Sequence, residues 1–257
     1  MSVTLGISNA NLWGMMLTYA RSVKAVVLGP IITAGVCTSL IVVTRLRPGS
    51  DMADSILRWW GATLLRIFDI DLIIESEIEF DSDTSYVIVS NHQSNLDIMA
   101  NFVAAEVPIR FMAKSELFRI PIFGQAIRGL GMVEIDRKAG ASRYVQVNAA
   151  AKAVTGRKHS LMVYPEGTRS RDGVTRSFKK GGFLIAVEGQ LPVVPMTISG
   201  AEYAWPAGGL VYGGTVYVHV GQAIPTKGMT TADVTELTKR TQEMIESTRQ
   251  RLSTGES

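Results

Sequence analysis

The chain opens with a long apolar tract. From Ala25 to Thr44 no residue is charged, with Lys24 at one boundary and Arg45 and Arg47 at the other. A helix of that length reaches across a hydrocarbon core of roughly 30 Å. Gly29-Pro30, Gly35 and several Thr and Ser make it a weak, kinkable span, and it is too long and too deep in the chain for a cleaved leader. The next pattern is different. Asp54, Arg58, Ala62 and Arg66 form one row at four-residue spacing; Ile56, Trp60, Leu64 and Phe68 form another, flanked by Leu57 and Ile67. Such a helix suits a membrane interface, with Trp59 and Trp60 near headgroup level, and the same pattern also fits packing on the domain. Joined by the turn Arg47-Pro48-Gly49, the two segments predict a two-helix membrane anchor over residues 1–69 that either crosses the bilayer or dips into one leaflet.

Beyond Ile70 the hydrophobic period shortens. Strands are expected at Leu72–Ile74, Tyr86–Val89, Ile109–Ala113, Met132–Ile135, Leu161–Tyr164, Val193–Ile198 and Val216–Val220. Helices fit between several of them, at Ile98–Ala105, Arg143–Val154 and Gly182–Glu188. This alternation predicts an α/β domain over residues 70–257, a central mostly parallel or mixed sheet flanked by helices. A final helix, Asp233–Leu252, puts Val234, Leu237, Met244 and Ile245 on one side and should dock on the domain.

Composition sharpens the membrane expectation. Hydrophobic residues are 46% and charged ones 19%, and the mean hydropathy is +0.18. A net charge of +3 suits an anionic lipid surface or an acidic carrier protein; no basic-aromatic motif points to nucleic acid. The single cysteine, Cys37, excludes an internal disulfide framework, and no His/Cys/carboxylate cluster has metal-ligand spacing. A site without metal or other cofactor is expected.

The candidate chemistry sits at strand ends. The run Val87–Val89 feeds the polar turn Ser90-Asn91-His92-Gln93-Ser94-Asn95, with Asp97 in the first turn of the following helix. A carboxylate there can take the proton of one imidazole nitrogen, fix the tautomer and leave the other nitrogen as a base. Downstream lie Gly131-Met132-Val133-Glu134-Ile135-Asp136-Arg137 and Tyr164-Pro165-Glu166-Gly167-Thr168-Arg169-Ser170. Together these stretches resemble the glycerolipid acyltransferase family, marked by an N-H-x-x-x-x-D turn, a later I-D-R and an E-G-T-R-S block. Within it the chain is most similar to the bacterial 1-acyl-sn-glycerol-3-phosphate acyltransferases. The resemblance spans roughly Ser85 to Gly200.

The resemblance implies that Glu166, Gly167, Thr168 and Arg169 bind the acceptor's glycerol phosphate, with Arg137 as a second phosphate residue. Gly167 permits close backbone approach, Thr168 offers a hydroxyl and Arg169 a planar fork for phosphate. Glu134 stands where the family often has an aromatic residue, which blurs the role of that strand. Ser177-Phe178-Lys179-Lys180-Gly181-Gly182 resembles another family stretch, whose cations, with Arg171 and Arg176, could meet a carrier protein or the phosphate. Val194–Gly200 is similar to a family strand that shapes the site, Pro195 being architectural. His159 and His219 are expected to be structural or exposed.

Ser90 and Ser94 lack a nucleophile elbow, so no covalent acyl-enzyme is expected. His92 would instead take the proton of the acceptor hydroxyl as it attacks a thioester, with backbone N–H groups just after His92 as candidate oxyanion donors. The implied reaction moves a fatty acyl group from acyl carrier protein or coenzyme A to the sn-2 hydroxyl of lysophosphatidic acid at the inner membrane, active domain facing the cytoplasm. Glycerol 3-phosphate, a lyso-aminolipid or another lysophospholipid are rival acceptors. A non-catalytic membrane-binding homologue and a metal hydrolase are rivals of other classes.

Overall fold

The computed structural model describes residues 9–135, 143–169 and 175–254. Seven strands form one sheet: β1 (Ile70–Ser76), β2 (Val87–Ser90), β3 (Ile109–Lys114), β4 (Val133–Ile135), β5 (Ser160–Val163), β6 (Val193–Ser199) and β7 (Gly214–Val220). Their spatial order is β1-β7-β6-β2-β5-β3-β4, parallel throughout except between β6 and β7. The helices are α1 (Asn9–Leu46), α2 (Met52–Ile67), α3 (Leu96–Ala104), α4 (Phe123–Leu130), α5 (Arg143–Thr155), α6 (Gly181–Gly189), α7 (Ala201–Ala204) and α8 (Val234–Thr254). The mixed sheet flanked by helices is the architecture expected from the alternating pattern.

Burial explains why the central strand has no polar alternation. All four residues of β2 are buried because both faces of the sheet are covered. Ile88, Val194, Met196 and Val216 join residues of α1, α2 and α3 in one apolar cluster. Val87, Val89, Leu161 and Val193 join α5, α6 and α8 in the other. From β2 the chain crosses over β5 to β3, and from β5 it later crosses over β2 to β6. The carboxyl ends of β2 and β5 thus lie side by side where strand order reverses, the crevice in which open α/β sheets bind ligands.

The N-terminal region corrects the expectation of a two-helix anchor. Among the described residues one long apolar helix is present, Leu12–Leu46, with a mean hydropathy of 2.3 over its most apolar stretch. Its hydroxyls suit an apolar setting because Thr18, Ser22, Thr38, Ser39 and Thr44 each donate to the carbonyl four residues back. The second helix, α2, docks on the domain instead. It buries Leu57, Leu64 and Leu65, and a Cβ at Gly61 would lie 2.8 Å from the Met99 carbonyl oxygen of α3, so only glycine lets the two backbones meet. Trp60 turns inward, donating its indole N–H to Thr33 of α1 at 3.0 Å and meeting Phe102 edge-on; Trp59 is exposed.

Asp54 also departs from the amphipathic pattern. It is buried and bonds Arg110 of β3 at 2.6 and 3.1 Å. The remaining Arg110 donors reach the Leu130 and Ile109 carbonyls and the Nε2 of His159. Burial, then the Arg110 cation, pushes the His159 imidazole down to about 4. The folded state therefore favours neutral His159, so its contribution is fully present above the unfolded value of about 6.5 and is lost as pH falls toward 4. Chemical unfolding in detergent at pH 7.5 and 4.5 is expected to show lower stability at the acid pH, and His159→Leu should flatten that difference.

Candidate active site

β2 ends at Ser90, and the next residue fixes the loop. Asn91 is buried and exchanges two 2.8 Å hydrogen bonds with the backbone of Ile198 on neighbouring β6. His92 follows, its side chain 14% exposed, and its Nδ1 lies 2.8 Å from Asp97 Oδ2. The same oxygen accepts the backbone N–H groups of Gln93 at 2.7 Å and Ser94 at 2.8 Å. One buried carboxylate oxygen therefore folds the turn and orients the imidazole. No described residue hydrogen-bonds His92 Nε2.

The ring plane is fixed from β5. Tyr164, the residue after that strand, stacks on His92 with centroids 4.0 Å apart and planes 13° from parallel. Phe111 also stacks on Tyr164, at 5.6 Å, and the phenol oxygen accepts from Asn101 at 2.9 Å. Burial, with the Asp97 charge adding to it, holds the Tyr164 hydroxyl well above its ordinary range. A neutral flat platform results. Sequence reading placed Tyr164 only at a strand end; its contact with His92 depends on the pairing of β2 with β5, which no local pattern reveals.

Glu166 bridges the two loops. Its Oε1 accepts the His92 backbone N–H at 2.8 Å and its Oε2 that of Arg176 at 3.1 Å. Burial raises its carboxyl above the usual carboxylate value, and the two backbone donors oppose that rise. Gly167 follows with φ +77°, a left-handed conformation that favours glycine, and the Lys179 ammonium lies close over it. Thr168 and Arg169 are exposed, and Arg169 Nη1 donates to Asn95 Oδ1 in the turn that carries His92. The structure thus brings His92, Asp97 and the block Glu166–Arg169 together. Asp136 and Arg137 lie outside the described residues.

Of the backbone N–H groups expected as oxyanion donors, those of Gln93 and Ser94 are engaged by Asp97, and that of His92 itself by Glu166. Neither candidate serine engages the imidazole: Ser94 donates to the Trp205 carbonyl at 2.6 Å and Ser90 to that of Asn91 at 3.1 Å. His219, expected to be structural or exposed, is buried and pairs with Glu77 at 3.0 Å.

The site thus joins a histidine held by a carboxylate at the carboxyl edge of a mixed α/β sheet to a glycine-containing cationic loop. Residues 73–199 match the family model described as Acyltransferase. Human 1-acyl-sn-glycerol-3-phosphate acyltransferase beta is 30% identical over 199 residues, 76% of this chain and 72% of that protein. A putative 1-acyl-sn-glycerol-3-phosphate acyltransferase of Caenorhabditis elegans, acl-2, is 37% identical over 59% of this chain. The crystal structure of PlsC, the 1-acyl-sn-glycerophosphate (LPA) acyltransferase of Thermotoga maritima, superposes with a TM-score of 0.74 at 26% identity, covering 94% of this chain and 97% of that one. The chain belongs to the acyltransferase family, whose matched relatives are named 1-acyl-sn-glycerol-3-phosphate acyltransferases. It spans about half the length of several curated relatives, including 54% of the C. elegans protein and 52% of one from Limnanthes douglasii.

Proposed function

We propose that the protein transfers a fatty acyl group from an acyl thioester, carried by acyl carrier protein or coenzyme A, to the sn-2 hydroxyl of 1-acylglycerol 3-phosphate, giving phosphatidic acid. The observation that carries the mechanism is the 2.8 Å contact between His92 Nδ1 and Asp97. With Asp97 accepting the Nδ1 proton, Nε2 takes the proton of the acceptor hydroxyl as that oxygen attacks the thioester carbonyl. The same nitrogen then returns the proton to the leaving thiolate. Neither Ser90 nor Ser94, the serines of the His92 turn, pairs with the imidazole, which favours direct transfer. Tyr164 keeps the ring plane constant through both steps.

The acceptor's phosphate is assigned to the exposed cationic face of the β5 loop, Arg169 and Lys179 over Gly167 and Thr168, with Arg137 added from the sequence motif. Glu166 serves as the brace between loops, since both its oxygens already hold backbone donors. The long helix α1 is the lipid-facing part, and α2 with residues 70–254 makes up the transfer domain. The long helix is held along the domain, by Arg21 to Asp69 at 2.9 Å near one end and by the approach of Thr44 to Gly129 near the other. A helix held along the domain in this way fits a seat in one leaflet better than a free crossing span. We place the protein at the inner membrane, facing the cytoplasm.

Purified protein assayed with paired donors and a panel of acceptors should consume thioester only when lysophosphatidic acid is supplied. Arg169→Ala should raise the KM for that acceptor about tenfold with kcat little changed, as loss of a charged hydrogen bond implies. A preference for glycerol 3-phosphate or a lyso-aminolipid would replace the acceptor assignment. An unchanged KM in Arg169→Ala would remove the phosphate role.

A further inference from the structure

We infer that the segment between β3 and α4 is a second membrane contact, a rigid apolar knuckle that presses into an anionic bilayer beside the site. β3 ends at Lys114, on the same edge of the sheet as His92 and Glu166, and a short 3₁₀ turn (Ser115–Arg119) follows. Leu117, Ile120 and Ile122 stand 36%, 47% and 46% exposed in succession. Such clustering of large aliphatics on a surface marks an interaction site.

The knuckle is preformed. Ile122 has φ +63° and ψ −59°, and the Phe123 N–H donates to the Pro121 carbonyl at 2.7 Å, a γ-turn of the rare, strained hand. A β-branched residue is poorly suited to that conformation, and strain of this kind persists where function holds it. Beneath it the Phe118 carbonyl fills the space where any side chain at Gly124 would go, and the Arg128 guanidinium sits 5.4 Å over the Phe118 ring.

The occupant follows from charge and continuity. Between Lys114 and Arg128 three exposed cations, Lys114, Arg119 and Arg128, stand against one exposed acid, Glu116, with Glu134 exposed on neighbouring β4. Helix α4, which begins at the knuckle, packs on α1, on which Val26, Ile31 and Val42 are exposed, with exposed Arg45 and Arg47 at its end. Aliphatic tips ringed by cations and continuous with an apolar helix fit anionic headgroups over acyl chains. Contact there would let a lipid acceptor reach the site sideways from the leaflet. This rests on the membrane placement proposed above.

The test uses the full chain with Cys37→Ala and one environment-sensitive label at Ile120→Cys, Val26→Cys or Glu106→Cys. Glu106 precedes β3 at the opposite edge of the sheet. In phosphatidylcholine vesicles containing phosphatidylglycerol, the label at 120 should be quenched by lipid-borne spin labels several-fold more than the one at 106. Equal, weak quenching at 120 and 106 overturns the inference. If the label at 26 is then quenched, the membrane placement of α1 survives; if it is not, both fall. The pair Ile120→Ser with Ile122→Gly relieves the backbone strain and should raise several-fold the KM for bilayer-borne lysophosphatidic acid, leaving turnover of a short-chain soluble acceptor unchanged. An unchanged KM for the bilayer acceptor also overturns it.

Discussion

Replacing His92 with alanine is expected to lower acceptor-dependent thioester consumption by about 10²- to 10⁴-fold, the usual contribution of a positioned acid–base group. The fold should survive. Asp97 keeps the Gln93 and Ser94 backbone donors when the imidazole is gone, so its buried charge is not abandoned. A melting temperature close to wild type together with the lost rate separates a chemical role from a structural one. Asp97→Ala should behave differently, losing activity and stability together, because two buried N–H groups lose their acceptor. Tyr164→Leu probes the platform alone. Loss of a stacked ring partner, worth about 0.5–1.5 kcal/mol, should slow kcat by about 2- to 10-fold, and Tyr164→Phe should retain most of it.

The second large effect is on stability, at the opposite edge of the sheet. Asp54→Ala is expected to cost about 3–5 kcal/mol, the penalty for leaving a buried cation without its partner. Arg110 is 3% exposed and spends its donors on Asp54, His159 and two carbonyls, so no water-exposed route relieves it. For a chain of this size the loss amounts to about 10 °C in Tm. The double variant Asp54→Ala, Arg110→Met should recover most of it, since an apolar side chain of similar length removes the stranded charge. A double variant as unstable as Asp54→Ala alone would show that the lost stability has another source. The pair matters to function because it fixes α2, and through α2 the long apolar helix, to the sheet that carries the site.

Much of this architecture was legible in the chain. Strand positions followed from short apolar runs bounded by turn residues, and the pairing of His92 with Asp97 followed from a carboxylate in the first turn after a strand end. The long apolar helix was visible as an uncharged tract containing Pro30, although the helix begins earlier, at Asn9. What was hidden depends on long-range packing. Asp54 shares a spacing with Arg58 and Arg66 and reads as part of a solvated row; only Arg110, 56 residues later, makes burial favourable. Helix α4 is eight residues long, starts without a side-chain cap and contains Gly124 and Gly129, so its local signals oppose a helix. Those glycines serve close contacts with Phe118 and Thr44 instead. The engagement of the loop N–H groups by Asp97 was equally invisible, since a motif spacing does not say which donors a carboxylate will take.

The proton on the His92 ring is the most direct observable. Nitrogen NMR of the full-length protein with labelled histidine, with the His92 resonance assigned by its loss in His92→Ala, reports which ring nitrogen carries the proton. The expected result is a proton on Nδ1 and a bare Nε2, reversed or averaged in Asp97→Asn. A proton on Nε2 in the wild-type protein would leave no base facing the acceptor and would contradict the proposed mechanism.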